Sequence, residues 1–127
     1  MEDHIFISYA REDEDFALKL AGKLKDHGLK VWIDQWEMIT GDDWPQKIRD
    51  AIYTCNKFLI ILSPSSVDST DVREEILQAR NARKVILPVL YKEVQRMPYG
   101  LATLQYENFT PLRAIEEEGR FTPNWRC

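Results

Sequence analysis

Cysteine, histidine and long apolar runs are all scarce in this chain, and each scarcity removes a class of protein. The 127 residues hold two cysteines, Cys55 and Cys127, too few for a disulfide framework. Cys55 falls on a helical apolar stripe and Cys127 is the last residue, so both read as reduced thiols. His4 and His27, the two histidines, lie far apart and lack metal-ligand spacing, so no metal site is expected. No apolar run approaches the ~20 residues of a membrane span. The opening Met1-Glu2-Asp3-His4 is acidic where a signal peptide is basic. Acids and bases are interspersed at a formal net charge of −4, which leaves no basic patch for nucleic acid. These absences point to a cytoplasmic protein with neither membrane nor nucleic acid as a partner.

What is present is an alternation of short apolar runs and one-sided helical stripes. At 44% hydrophobic, residues 1–127 suit one compact domain with a real core. Ile5-Phe6-Ile7-Ser8-Tyr9 reads as a first strand. An acidic helix start at Glu12, Asp13, Glu14 and Asp15 leads to a helix with Phe16, Ala17, Leu20 and Leu24 on one face. Gly28 ends it as a left-handed cap, with Leu29 placed for the accompanying contact. Residues 30–33 form a second strand, and 34–43 a loop. Asp43 can cap a second helix, with Pro45 in its first turn and Gln46 completing a capping box. Its stripe is Trp44, Ile48, Ala51, Ile52 and Cys55, which places Trp44 and Cys55 in the core. The third strand is Lys57–Leu62, followed by a Ser-Pro-Ser-Ser turn and a helix start at Ser69-Thr70-Asp71. Val85–Leu90 is a fourth strand; its Pro88 removes a ladder donor and is expected at the strand's end or beside an irregularity. A weak fifth strand over 105–109, a helix near 112–118 and a tail complete the chain.

Repeated strand–helix–strand order implies a parallel sheet with helices on both faces. The expected fold is a flavodoxin-like three-layer α/β sandwich whose five-stranded parallel sheet runs in order 2-1-3-4-5. Ligands bind such sheets beyond the carboxyl ends of strands one and three. Tyr9-Ala10-Arg11 and residues 63–75, with Ser69 and Asp71 among them, line that crevice. Within it Glu75 stands out. Val72, Ile76 and Ala79 form the buried stripe of the third helix; at 100° per residue Glu75 lies about 40–60° from its nearest members and Glu74 about 160° away. Glu75 therefore borders the core, Glu74 faces solvent, and both sit near the positive end of the helix dipole.

Several common occupants of this fold are excluded. No Gly-x-Gly-x-x-Gly follows the first strand, and no Gly-x-x-x-x-Gly-Lys-Ser/Thr occurs. A phospho-receiver needs acids after strand one and an Asp closing strand three, where this chain has Ser8-Tyr9 and Ser63-Pro64. Ser65, Ser66 and Ser69 have no evident histidine partner for a serine hydrolase.

Ile5-Phe6-Ile7-Ser8-Tyr9 resembles the first motif of Toll/interleukin-1 receptor (TIR) domains. Val31-Trp32-Ile33-Asp34 through Trp36-Glu37-Met38 to Gly41-Asp42 resembles their second-strand and BB-loop motif in its prokaryotic style. Leu62-Ser63-Pro64 followed by Val72-Arg73-Glu74-Glu75 is similar to their third-strand and third-helix segment. The resemblance runs from about His4 to Phe109. It implies cleavage of the nicotinamide–ribose bond of NAD to nicotinamide and linear or cyclic ADP-ribose, with NAD as substrate, no cofactor, and Glu75 as the catalytic carboxylate. The chemistry is coherent: loss of nicotinamide leaves an oxocarbenium-like ribosyl cation, which a carboxylate placed in advance stabilises.

Tyr9, Ala10, Arg11, Ser69 and Asp71 are the candidate substrate contacts, with Arg11 able to face a phosphate as a forked donor. The chain departs from the family at Asp71, where catalytic members usually carry Trp. An Asp cannot stack and adds negative charge near an anionic dinucleotide, which leaves Trp36 or Trp44 to supply an aromatic surface. Trp36, Glu37, Met38, Ile39 and Gly41 form the interaction loop; large apolar groups in an exposed loop mark a partner surface. The resemblance implies self-association through that loop in a defence or signalling context, with other TIR domains or fused sensor domains as further partners. The alternative is a non-catalytic module that self-associates or recruits other TIR domains.

Overall fold

The computed structural model describes residues 4–94 and the backbone of 107–108. β1 (Ile5–Ser8) lies between β2 (Val31–Trp32) and β3 (Lys57–Leu62), with β4 (Val85–Leu90) beyond β3. All three pairings are parallel, so these strands run in the expected order 2-1-3-4. A two-residue segment, β5 (Glu107–Asn108), pairs parallel with Val89 and Leu90 of β4. The rest of 105–109, the expected helix near 112–118 and the tail lie outside the described residues.

The sheet is buried on both faces, which is why its strands read as continuous apolar runs. Ile5, Ile7, Leu59, Ile61 and Val89 pack with Phe16, Ala17, Leu20 and Leu24 of α1 (Glu14–Asp26). The alternate residues Phe6, Phe58, Ile60, Leu62 and Leu90 pack against α3 (Trp44–Thr54) and α5 (Thr70–Asn81). Phe6 stacks on Trp32 of β2 at 4.9 Å and on Phe58 of β3 at 5.4 Å between ring centroids, a cross-strand ladder that pins the register. Val72, Ile76 and Ala79 are buried on α5, as their spacing predicted.

Capping residues set the ends of the helices. Gly28 adopts φ +85°; its N–H donates to Lys25 O, and Leu29 N–H to Leu24 O, the paired bonds of a Schellman stop. Asp43 caps α3 by accepting from Gln46 N–H. The expected reciprocal half of that box, acceptance from Asp43 N–H, is not made: the Gln46 side chain turns along the helix, its amide donating to Asp50 at 2.8 Å and its Oε1 accepting from Arg49.

Other expectations are corrected. The supposed loop at 34–43 begins with a one-turn helix, α2 (Asp34–Glu37). The Ser-Pro-Ser-Ser turn is a helix, α4 (Pro64–Asp68), started by Pro64 behind a Ser63 cap. The acidic start of α1 is preceded by a 3-10 turn over Arg11–Asp13, and Asp13 is buried. Pro88 lies mid-strand opposite Ile60, not at an end. Tyr91 N–H donates to Leu62 O, so by alternation position 88 faces away from β3 and its missing donor costs that ladder nothing. Among the described residues no helix is long and apolar enough to cross a membrane.

Candidate functional site

Parallel winding brings the carboxyl ends of β1 and β3 together, and the connections leaving them are tied to each other. The Ser63 side chain accepts from Ser66 N–H at 3.1 Å to cap α4. Its hydroxyl also donates to the buried Asp13 carboxylate, in the connection that follows β1. Burial pushes the Asp13 carboxyl up, opposed by the Ser63 hydrogen bond and the nearby Lys92 charge. α5 then begins at Ser69, whose side chain accepts from Val72 N–H at 3.2 Å. That cap sets the helical phase that carries Glu75 back toward β1.

Ser8, the last residue of β1, donates its hydroxyl to Glu75 Oε1 at 2.7 Å. The next residue, Tyr9, donates its hydroxyl to Asp34 Oδ1 at 2.6 Å. Burial raises the Glu75 carboxyl to about 7; the Ser8 hydrogen bond opposes the rise, and the charges of Asp34 and Asp71 add to it. Near neutral pH this acid is therefore poised between its two forms. Burial, and then Asp34 as acceptor and as charge, push the Tyr9 hydroxyl well above its usual range, so Tyr9 stays a donor.

Tyr9, Asp34 and Glu75 line a cavity of about 840 Å³, within the span of small-molecule sites. Glu12, Asp34, Asp68, Asp71, Glu74 and Glu75 give it an acidic wall, with Arg11 and Arg49 as the cations among the described residues. Trp44, Pro45 and Ile48 form the apolar side. Gln78 lies one turn beyond Glu75, and its Oε1 is buried with no hydrogen-bond partner among the described residues.

Of the expected site residues, Tyr9, Arg11, Ser69, Asp71 and Glu75 come together in this cavity. Ala10 does not: its side chain is buried and it does not line the space; its carbonyl accepts from Asp13 N–H to open the 3-10 turn. Glu74 is exposed, as expected, but it stands at the rim. Trp44 is not core; at the first position of α3 it is 40% exposed and faces the cavity. Trp36, Glu37, Met38, Ile39 and Gly41 lie outside the cavity. Trp36 and Ile39 are exposed, at 43% and 67%, and Met38 is half-buried. Lys25 Nζ sits 5.5 Å from the Trp36 ring centroid. The Asp42 carboxylate accepts from Ile39 N–H at 2.8 Å and from Lys47 at 3.0 Å, which shapes the loop around Gly41 at φ +96°.

The sequence pattern of the TIR domain matches residues 5–120. The chain belongs to the TIR domain family. It is 36% identical over 106 residues to the 2' cyclic ADP-D-ribose synthase BtTIR of Bacteroides thetaiotaomicron, covering 76% of this chain and 37% of that protein. It is 32% identical over 110 residues to the NAD(+) hydrolase TcpA of Theionarchaea archaeon, covering 80% of this chain and 33% of that protein. This TIR domain thus spans about a third of the length of these curated relatives. Its fold superposes on the TIR domain of the Toll-related receptor TRR-2 of Hydra magnipapillata with a TM-score of 0.75 at 23% identity, over 91% of this chain and 92% of that one.

Among the residues that escaped the sequence reading as site residues are Asp34, Arg49 and Gln78, which line this TIR domain's cavity, and Ser8, which holds Glu75 from the end of β1. Arg49 and Gln78 lie on the cavity side of α3 and α5, and helical phase alone could have placed them there. Ser8 and Asp34 are selected by hydrogen bonds across 67 and 25 positions, for which sequence carries no local signal.

Proposed function

We propose that this TIR domain cleaves the nicotinamide–ribose bond of NAD, releasing nicotinamide and leaving linear or cyclic ADP-ribose. The observation that carries this reading is Glu75: a carboxyl poised near neutrality, held by Ser8, in the cavity at the switch point of the sheet. As the C1′–N bond lengthens, positive charge grows on the ribose, and an ionised Glu75 stabilises it from a position fixed before the reaction. Nicotinamide departs as a neutral molecule from a cationic ring, so the step needs no strong general acid. NAD is the substrate, and no cofactor enters the proposal. Relatives named as a cyclic ADP-ribose synthase and an NAD(+) hydrolase support the reading.

The cavity also answers the lack of an aromatic residue at Asp71. Trp44 offers an exposed indole on the opposite side, a stacking surface for a nucleotide base. Gln78 Oε1, an acceptor with no partner among the described residues, suits an amide N–H such as that of nicotinamide. Arg11 and Arg49 are the available partners for the pyrophosphate. The proposal takes residues 1–127 as one cytoplasmic domain with a full fifth strand at 105–109. It includes activation by self-association through the loop around Trp36, in a defence or signalling setting.

The second reading is a non-catalytic interaction module, favoured by Asp71 and the acidic wall, which oppose an anionic dinucleotide. Incubating concentrated protein with NAD and measuring nicotinamide by chromatography decides between them. Release is expected from the wild-type chain, with a loss of about 100-fold or more in Glu75→Gln and an unchanged circular dichroism spectrum. No release from either protein removes the enzymatic reading; equal release from both removes Glu75 from it.

A further inference from the structure

The end of β1 presents two hydroxyls in succession, and each holds a carboxylate from a different element. Ser8 donates to Glu75 of α5 at 2.7 Å, and Tyr9 donates to Asp34 of α2 at 2.6 Å. Successive residues leave a strand toward opposite faces, so the dipeptide reaches two layers of the fold at once. Asp34 and Glu75 both line the same cavity. The Tyr9 hydroxyl occupies Asp34 Oδ1, and no hydrogen-bond partner is found for Oδ2 among the described residues. One carboxylate oxygen is thus anchored and the other left for a ligand.

We infer that Asp34 is a second catalytic carboxylate of this site, the base that accepts the proton of the attacking hydroxyl, and that Tyr9 positions it. The inference rests on the NAD-cleaving reading above. The C1′–N bond breaks with its electron pair going to nicotinamide, which leaves neutral. A hydroxyl of water, or of a ribose in the same molecule, forms the new C1′–O bond. Its proton passes to Asp34 and from there to solvent, with no change of oxidation state. In inverting glycoside cleavage one carboxylate likewise serves as the base on the attacking water. Asp34 and Glu75 also feel each other, since the Asp34 charge is one of the influences that raise Glu75 after burial.

Asp34→Asn keeps an oxygen for the Tyr9 hydroxyl but cannot take a proton. It should fold with an unchanged melting temperature and lower kcat for nicotinamide release by about 100-fold or more, with KM little altered. Tyr9→Phe, which releases the anchor but keeps the base, should cost less, on the order of tenfold. Azide has no proton to lose, so it should restore nicotinamide release to Asp34→Ala while trapping an azido sugar. Carbon-13 carboxyl titration of the free protein supplies a reading that needs no turnover: Glu75 should titrate at lower pH in Asp34→Asn. Wild-type turnover matched by a folded Asp34→Asn, a Glu75 titration it leaves in place, or no effect of azide overturns the assignment. A wild-type chain that releases no nicotinamide defeats the NAD reading and this assignment with it.

Discussion

Glu75 is held where ionisation works against the fold. Its carboxyl titrates near 7 in the folded chain against 4.5 for the free side chain, so between those values the folded state binds more protons than the unfolded one. The contribution of Glu75 to stability is then greatest below pH 4.5, falls as pH rises, and levels off above 7. Removing the ionisable group should stabilise the alkaline protein: Glu75→Gln is expected to gain on the order of 2–3 kcal/mol at pH 8. The gain should vanish toward pH 4.5, as urea unfolding at the two pH values would read. The substitution expected to abolish chemistry is thus also expected to strengthen the molecule, the usual opposition at a working site. A wild-type stability that is flat between pH 4.5 and 8 contradicts this account. The position of Glu75 was legible because helical phase is a local property of a few neighbouring residues. Its hydroxyl partner was not, because Ser8 lies 67 positions away.

The short helix α4 lends Pro64, Ser65 and Asp68 to the cavity lining, and its N-terminus is held by a capping box of Ser63 and Ser66. Ser63 caps α4 and is also the hydroxyl donor to Asp13. Ser63→Ala removes a cap worth about 1 kcal/mol and strips a buried carboxyl of a partner at about 1–3 kcal/mol. A loss of about 2–3 kcal/mol in chemical denaturation is therefore expected, and a loss below 0.5 would assign the tie no energetic role. Element boundaries were legible only where a residue type has one local meaning. Gly28 announced the end of α1. The corresponding turn after α5 falls on Arg83 at φ +58°, with Lys84 N–H donating to Ala79 O, and nothing in an arginine signals a left-handed stop. α2 and α4, with 4 and 5 residues, are too short for a period to show. Trp44 satisfied the apolar period of α3, yet as its first residue it protrudes past the sheet edge of the core and into the cavity.

At the scale of the whole molecule, the strand–helix order determined the parallel arrangement and therefore the location of the crevice, so both were legible before any coordinates. The proposed assembly belongs to this scale. Trp36 and Ile39 expose apolar surface beside the cavity rather than in it, on a loop braced by Asp42 and Lys47. Nicotinamide release per molecule is expected to rise with protein concentration, together with sedimentation of larger species. Trp36→Ala should blunt the rise by removing contact area. Gly41→Pro should do so because proline cannot adopt the φ of +96° found there. Equal rates per molecule in dilute and concentrated protein, with both variants indifferent, would eliminate the assembly step. One feature of the sheet bears on how copies of the chain can meet. β2 ends the sheet on its outer side and contributes only two ladder residues, Val31 and Trp32. So short a margin offers little backbone for another chain to template upon. This edge is thereby a poor starting point for open-ended strand addition, the route to fibres.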